Sequence, residues 1–181
     1  MMTERYLAAM EIATDRPIDR DSRERELDRL LHRLSATRDA DDASDVEMEI
    51  WSLWAESGSR TINFLLDDAT NALRDGEIDR ALTLMNAVIE WAPRFPEGWN
   101  RRATIFMILH NNKAALKDLR AALALEPRHF GALWSLSLIH EAMGDMDAAI
   151  AELNRARALN PHIDGLDERL DHLRSAPPEF D

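Results

Sequence analysis

The chain has 181 residues, of which 45% are hydrophobic and 31% charged, and it contains no cysteine. That length holds one domain, or one domain with a small appendage, and the lack of thiols excludes disulfides and thiolate metal sites. A formal net charge of −12 speaks against nucleic acid and against an anionic membrane surface, since both select clustered Lys and Arg.

The excess charge sits in the flanks. Residues 1–61 carry 9 Lys/Arg against 15 Asp/Glu, residues 62–129 carry 9 against 9, and residues 130–181 carry 4 against 10.

In chain order, residues 3–14 read as a weak helix that Pro17 separates from the next helical segment. The apolar stretch Tyr6–Met10 is short, is broken by Glu11 and has no basic lead-in, so it does not read as a secretory signal. No apolar run approaches the roughly 20 residues of a bilayer crossing, and a cytoplasmic location is expected. Arg23 to Leu34 reads as a helix with Leu27, Leu30, Leu31 and Leu34 on one face, N-capped by Ser22 with Glu26 in support. Asp39 to Asp42 reads as an acidic connector. Asp45 to Glu56 reads as a second helix bearing Ile50, Trp51, Leu53 and Trp54.

From residue 62 a period of 34 takes over, marked by Pro93, Pro127 and Pro161. Small residues recur at Ala81, Ala115 and Ala149, at Ala69, Ala103 and Ser137, and at Val88, Ala122 and Ala156. Large apolar residues recur at Leu65, Trp99 and Leu133, at Met85, Leu119 and Leu153, and at Trp91, Leu125 and Leu159. Small residues let two helices cross closely, and apolar residues at three- and four-residue spacing give each helix a buried face. Gly76 and Gly144 mark turns, with Asn111 and Asn112 expected to serve in the second unit. Each Pro ends a unit because it cannot continue a helix. This predicts hairpins at about 62–91, 96–125 and 130–159. Next, Leu166, Leu170 and Leu173 line one side of a short helix, charged on the other, as an end cap requires. The tail 177–181 is expected to fray.

These columns resemble the tetratricopeptide repeat (TPR), whose pattern is Trp/Leu, Leu, Gly/Ala, Tyr, Ala, Phe/Tyr, Ala and Pro across 34 residues. The resemblance covers 62–163 in three ungapped units, 62–95, 96–129 and 130–163. It departs from the pattern at Asp68 and Arg102, where Leu is usual, and at Ala72 and His140, where an aromatic is usual. The runs Glu97–Thr104 and Glu126–Leu133, with Ile50–Trp54 and Ser57–Ser59, are similar to a group of small bacterial TPR proteins. The resemblance implies an all-α, right-handed solenoid of helical hairpins, with an N-terminal helical extension over 1–61 and a capping helix over 164–176. Carried backwards, the frame gives a degenerate repeat at 28–61 in which Trp54 falls on a small-residue column. We read 22–57 as a divergent fourth hairpin stacked on the first unit; the rival arrangement folds these helices back over the groove.

The resemblance also implies that the first helix of each hairpin lines a concave face. Its groove residues are then Asn63, Leu66, Thr70 and Leu73; Asn100, Arg101, Thr104, Met107 and Ile108; and Trp134, Leu138 and Glu141. Trp134 reads either as a groove anchor or as packing within its own hairpin or beneath the cap. The family's carboxylate-clamp columns hold Leu66, Thr70, Asn100 and Arg101, and only the last two suit a carboxylate, so a chaperone-tail clamp is not expected. Arg101, with Arg128 or Arg94, suits an acidic segment, although pairing with nearby Asp and Glu is the more usual fate of such charges.

Catalytic, cofactor and metal motifs are missing from the sequence. His140-Glu141 begins like a zinc-protease helix, but position 144 is Gly rather than a second ligand. Asp75 to Asp79 lacks calcium-loop spacing. Ser57-Gly58-Ser59 is not a nucleophile elbow. The sequence therefore reads as a non-enzymatic scaffold for a protein or peptide partner, without cofactor. The alternative is a self-assembling homodimer joined through the convex face or a solenoid end, with Trp51, Trp54 or Trp91 in the contact.

Overall fold

The computed structural model describes residues 20–175. The weak helix expected at 3–14 and the tail 177–181 lie outside the described residues. Among those described there are nine α-helices and no strand: α1 (Arg20–Ala36), α2 (Ala40–Ala55), α3 (Arg60–Arg74), α4 (Ile78–Trp91), α5 (Pro96–Ile108), α6 (Asn112–Leu125), α7 (Phe130–Ala142), α8 (Met146–Leu159) and α9 (Leu166–Ser175). None is long and apolar enough to cross a membrane.

The local chemistry explains the helix ends. Asn111, His129 and Asp145 each accept a backbone N–H from three residues on, at 3.1 Å, which satisfies an otherwise orphaned donor of the first turn. The turns inside the hairpins need a left-handed residue. Gly76 (φ 77°) and Gly144 (φ 80°) supply it in the first and third, while His110 itself takes φ 55° in the second. That differs from the expectation that Asn111 or Asn112 would serve; Asn111 is instead committed to capping α6. Ser22, expected as an N-cap, lies inside α1. The acidic connector does the capping one helix later: the Asp39 carboxylate accepts from the N–H groups of Asp41 and Asp42, so α2 begins at Ala40.

Helices α3 and α4, α5 and α6, and α7 and α8 pair as antiparallel neighbours, and each hairpin meets the next through α4 with α5 and α6 with α7. The crossings close on Ala81, Ala115 and Ala149, all fully buried. The two polar departures from the Leu column are met by partners. Asp68 accepts from Arg80 at 2.7 Å. Arg102 holds Asp118 with two bonds of 2.7 and 2.9 Å and lies over the rings of Trp99 and Phe106. At the far end, Leu166, Leu170 and Leu173 of α9 are buried against the α7–α8 hairpin and Ile163.

The hairpin α1–α2 does not stack on α3–α4. It contacts α5 and α8, and its side chains share a core with Phe130, Leu133, Leu153 and Ile163. One column of the repeat shows the consequence. Gly98 faces Val88 of the preceding hairpin, Ala132 is fully buried and Leu166 is 2% exposed, whereas Phe64, in the same 34-residue register, is 68% exposed. Among the described residues, nothing covers the outer side of the first hairpin there. The reason lies in Trp54, which is too large for the close crossing that its column requires. It lies flat on His129 instead, with ring centroids 4.0 Å apart and planes 10° apart, while Trp51 meets Phe130 edge-on at 5.3 Å.

Candidate functional site

The residues expected to line the groove divide into two sets. Leu66, Thr70, Asn100 and Arg101 are buried, at 5% exposure or less. Leu73, Thr104, Met107, Trp134 and Leu138 are half-buried, and Ile108 is 49% exposed. Asn100 and Arg101 lie in the first half of α5, the helix that α2 reaches, and Leu66 and Thr70 lie in the middle and second half of α3. Trp134 packs partly against the core formed by the α1–α2 hairpin, the third hairpin and the cap. Trp51 and Trp54, offered by the sequence as self-assembly contacts, are 5% and 4% exposed and are spent on that internal core; Trp91 is 62% exposed.

Beneath α2 runs a polar network that joins three hairpins. Glu97, one turn before Arg101, accepts from Arg101 Nε at 2.8 Å and from Asn100 Nδ2 at 3.1 Å. Its Oε2 lies 2.9 Å from His129 Nε2. The other ring nitrogen, Nδ1, accepts the Ala132 N–H at 3.1 Å, so Nε2 carries the hydrogen and donates to Glu97. Arg101 Nη1 then donates to Thr70 Oγ1 on α3 at 3.1 Å, and Thr70 in turn donates to the Leu66 carbonyl at 2.9 Å. Burial alone would push the Glu97 carboxyl up; the adjacent Arg101 charge and the His129 donor hold it down to about 2. Arg101 Nη2 is buried without a partner. Arg101 is therefore a structural strut under the hairpin.

Arg128 is likewise committed. It bonds Glu126 at 2.8 Å and Glu24 at 2.8 Å and also pairs with Asp28, tying α1 to the loop before α7. In the loop before α9, Asn160 Nδ2 donates to Glu47 at 3.2 Å and His162 Nε2 meets the Thr37 carbonyl at 3.1 Å. Arg94 forms no ion pair among the described residues. Sequence reasoning missed the network of Glu97 and His129 and the internal packing of Trp51 and Trp54. The usable signal was the Glu97–Arg101 spacing, since a carboxylate four residues before a guanidinium on one helix face forms a pair. Nothing local pointed to His129, whose partners are 32 and 75 residues away in sequence.

Known proteins match this architecture. Residues 101–162 match the tetratricopeptide repeat family. A TPR repeat-containing protein of Rhizobium etli is 38% identical over 119 residues, which is 66% of this chain and 58% of that protein. The chain thus aligns with a little over half the length of that relative. Among solved structures, the first TPR of Spaghetti (RPAP3), bound to an HSP90 peptide, has a TM-score of 0.62 at 19% identity, covering 64% of this chain and 92% of its own. The Sgt2 TPR domain from Aspergillus fumigatus gives 0.60 at 19%, covering 68% and 89%. The Yersinia enterocolitica type III secretion chaperone SycD, in complex with a peptide of the translocator YopD, gives 0.57 at 14%, covering 65% and 89%. At these identities the structural likeness speaks for fold. The fold defines an α-solenoid of helical hairpins. The chain carries tetratricopeptide repeats, matched by the family at residues 101–162.

Proposed function

We propose that this protein is a non-catalytic interaction scaffold, acting in the cytoplasm, that receives a segment of a partner protein on the open half of the first-helix face. Leu73, Thr104, Met107, Ile108, Trp134 and Leu138 form that half; Leu66, Thr70, Asn100 and Arg101 support it from below. The observation that carries this reading is the exposure of Ile108, at 49%, beside half-buried Met107, apolar surface left uncovered by α1–α2. The similar solved structures that are bound to an HSP90 peptide or to a YopD peptide support peptide binding in kind. The HSP90-type ligand itself does not carry over, because all four clamp columns are buried here.

Site-specific photocrosslinking tests the proposal. A photoreactive residue at Ile108 should capture a partner from native cytosol, and the same probe at Lys117 on α6 should not. Equal capture at both positions, or none at Ile108, removes the groove from consideration.

A second reading, self-association through the free end of the stack, is favoured by Phe64 at 68% exposure. Light scattering across a concentration series would then show a dimer that Phe64→Ser abolishes, and a concentration-independent monomer excludes it.

A further inference from the structure

Trp91, Leu125 and Leu159 share one column of the repeat, at the end of each hairpin's second helix. Leu159 is packed against the core that includes α1–α2, but Trp91 and Leu125 are 62% and 38% exposed. Between them and α1 lies an open cavity of about 610 Å³, walled by Arg23, Trp54, Trp91, Arg94, Phe95 and Glu126 among others. That volume suits a few side chains of a bound segment.

The polar groups of this wall are unequally satisfied. Glu24 and Glu126 both bond Arg128, and Arg23 Nη2 donates to the Leu53 carbonyl at 2.6 Å. Arg94 forms no ion pair among the described residues, and Trp54 Nε1 is buried with no acceptor. The wall therefore offers a cation and a large exposed indole, while its carboxylates are already taken. In a chain of net charge −12, this wall is locally neutral, its two Arg balancing its two Glu.

We infer that the cavity is a second docking site, separate from the first-helix groove, for an acidic segment of a partner protein that carries a large apolar side chain. The carboxylate meets Arg94, and the apolar side chain covers Trp91, Phe95 and Leu125. This occupant completes, on the first two hairpins, the cover that α1–α2 gives the third.

The test uses the full chain and fluorescence anisotropy. The probe is a panel of hexapeptides in which Asp or Glu alternates with Phe, Trp or Leu. Matched panels carry Lys for the acids or Ala for the apolar residues. Members of the first panel should bind saturably and about tenfold more tightly than their matched counterparts. Arg94→Glu and Trp91→Ala should each weaken that binding about tenfold. Both side chains are on the surface, so circular dichroism should be unchanged; if Trp91→Ala alters it, Arg94→Gln carries the test. Ile108→Asp should leave the binding as it is. No saturable member, equal binding by the Lys panel, or loss with Ile108→Asp instead of Arg94→Glu overturns the inference.

Discussion

The three repeated hairpins and the hairpin α1–α2 are helical pairs of similar length, yet they meet their neighbours through different chemistry. The repeated hairpins join at small residues: Ala103, Ala115, Ala122 and Ala132 form one fully buried seam. Hairpin α1–α2 joins the stack through two indoles, a histidine and a phenylalanine, rimmed by Arg128 with Glu24 and Asp28. A small-residue seam can recur because it asks the same of each unit. An aromatic seam is a single fit, and it places this hairpin beside the loops before α7 and α9 rather than at the end of the stack.

If that contrast is right, removing the indole of Trp54 should act mainly on α1–α2. Trp54→Ala should cost about 3–5 kcal/mol. Hydrogen exchange should rise first in α1 and α2 while α5 to α8 stay protected, and uniform loss across all helices would erase the distinction between the two seams. Acid should attack the network beneath the same seam. The Glu97 carboxyl is held at about 2 in the folded chain against an ordinary 4.5. Below pH 4.5 the unfolded chain takes the proton first, so stability present above that value is lost as pH falls toward 2. Glu97→Gln should flatten this acid limb in urea titrations between those limits; an unchanged slope would mean that other carboxylates govern it.

A subtler break is Gly131→Ala. A Cβ there would sit 2.2 Å from Trp51 Cη2 and 2.9 Å from Cζ2, and the ring is hemmed in by Trp54, His129 and Phe130. The substitution should cost about 1–3 kcal/mol through overpacking, with near-ultraviolet dichroism reporting the displaced indole. The smallest effect is expected at Phe64. Phe64→Ser should change monomer stability by no more than about 0.5 kcal/mol, as at any surface position. A loss of several times that amount would indicate that something does cover the first hairpin.

The groove shows how far pattern reading reaches. Its columns assign residues to one first-helix face, and of these Met107, Ile108 and Leu138 are accessible to some degree. Arg101 reads from sequence as a candidate contact because a groove position and a positive charge are both local facts. Its burial goes with bonds to Glu97 on its own helix and to Thr70 on the preceding hairpin, and the Thr70 contact is not a local fact.

By itself, the sequence determined the all-α hairpin solenoid. Period, apolar spacing and turn residues act within a few turns of one helix or between adjacent helices, and they repeat, so each unit reinforces the reading of the next. The tertiary structure alone decided where α1–α2 sits, which groove residues are buried, and that Glu97, Arg101 and His129 form one network. Those outcomes rest on contacts between residues as far apart as Glu24 and Arg128, made once in the molecule by side chains of particular shape, and a pattern that repeats carries no information about a fit that occurs only once.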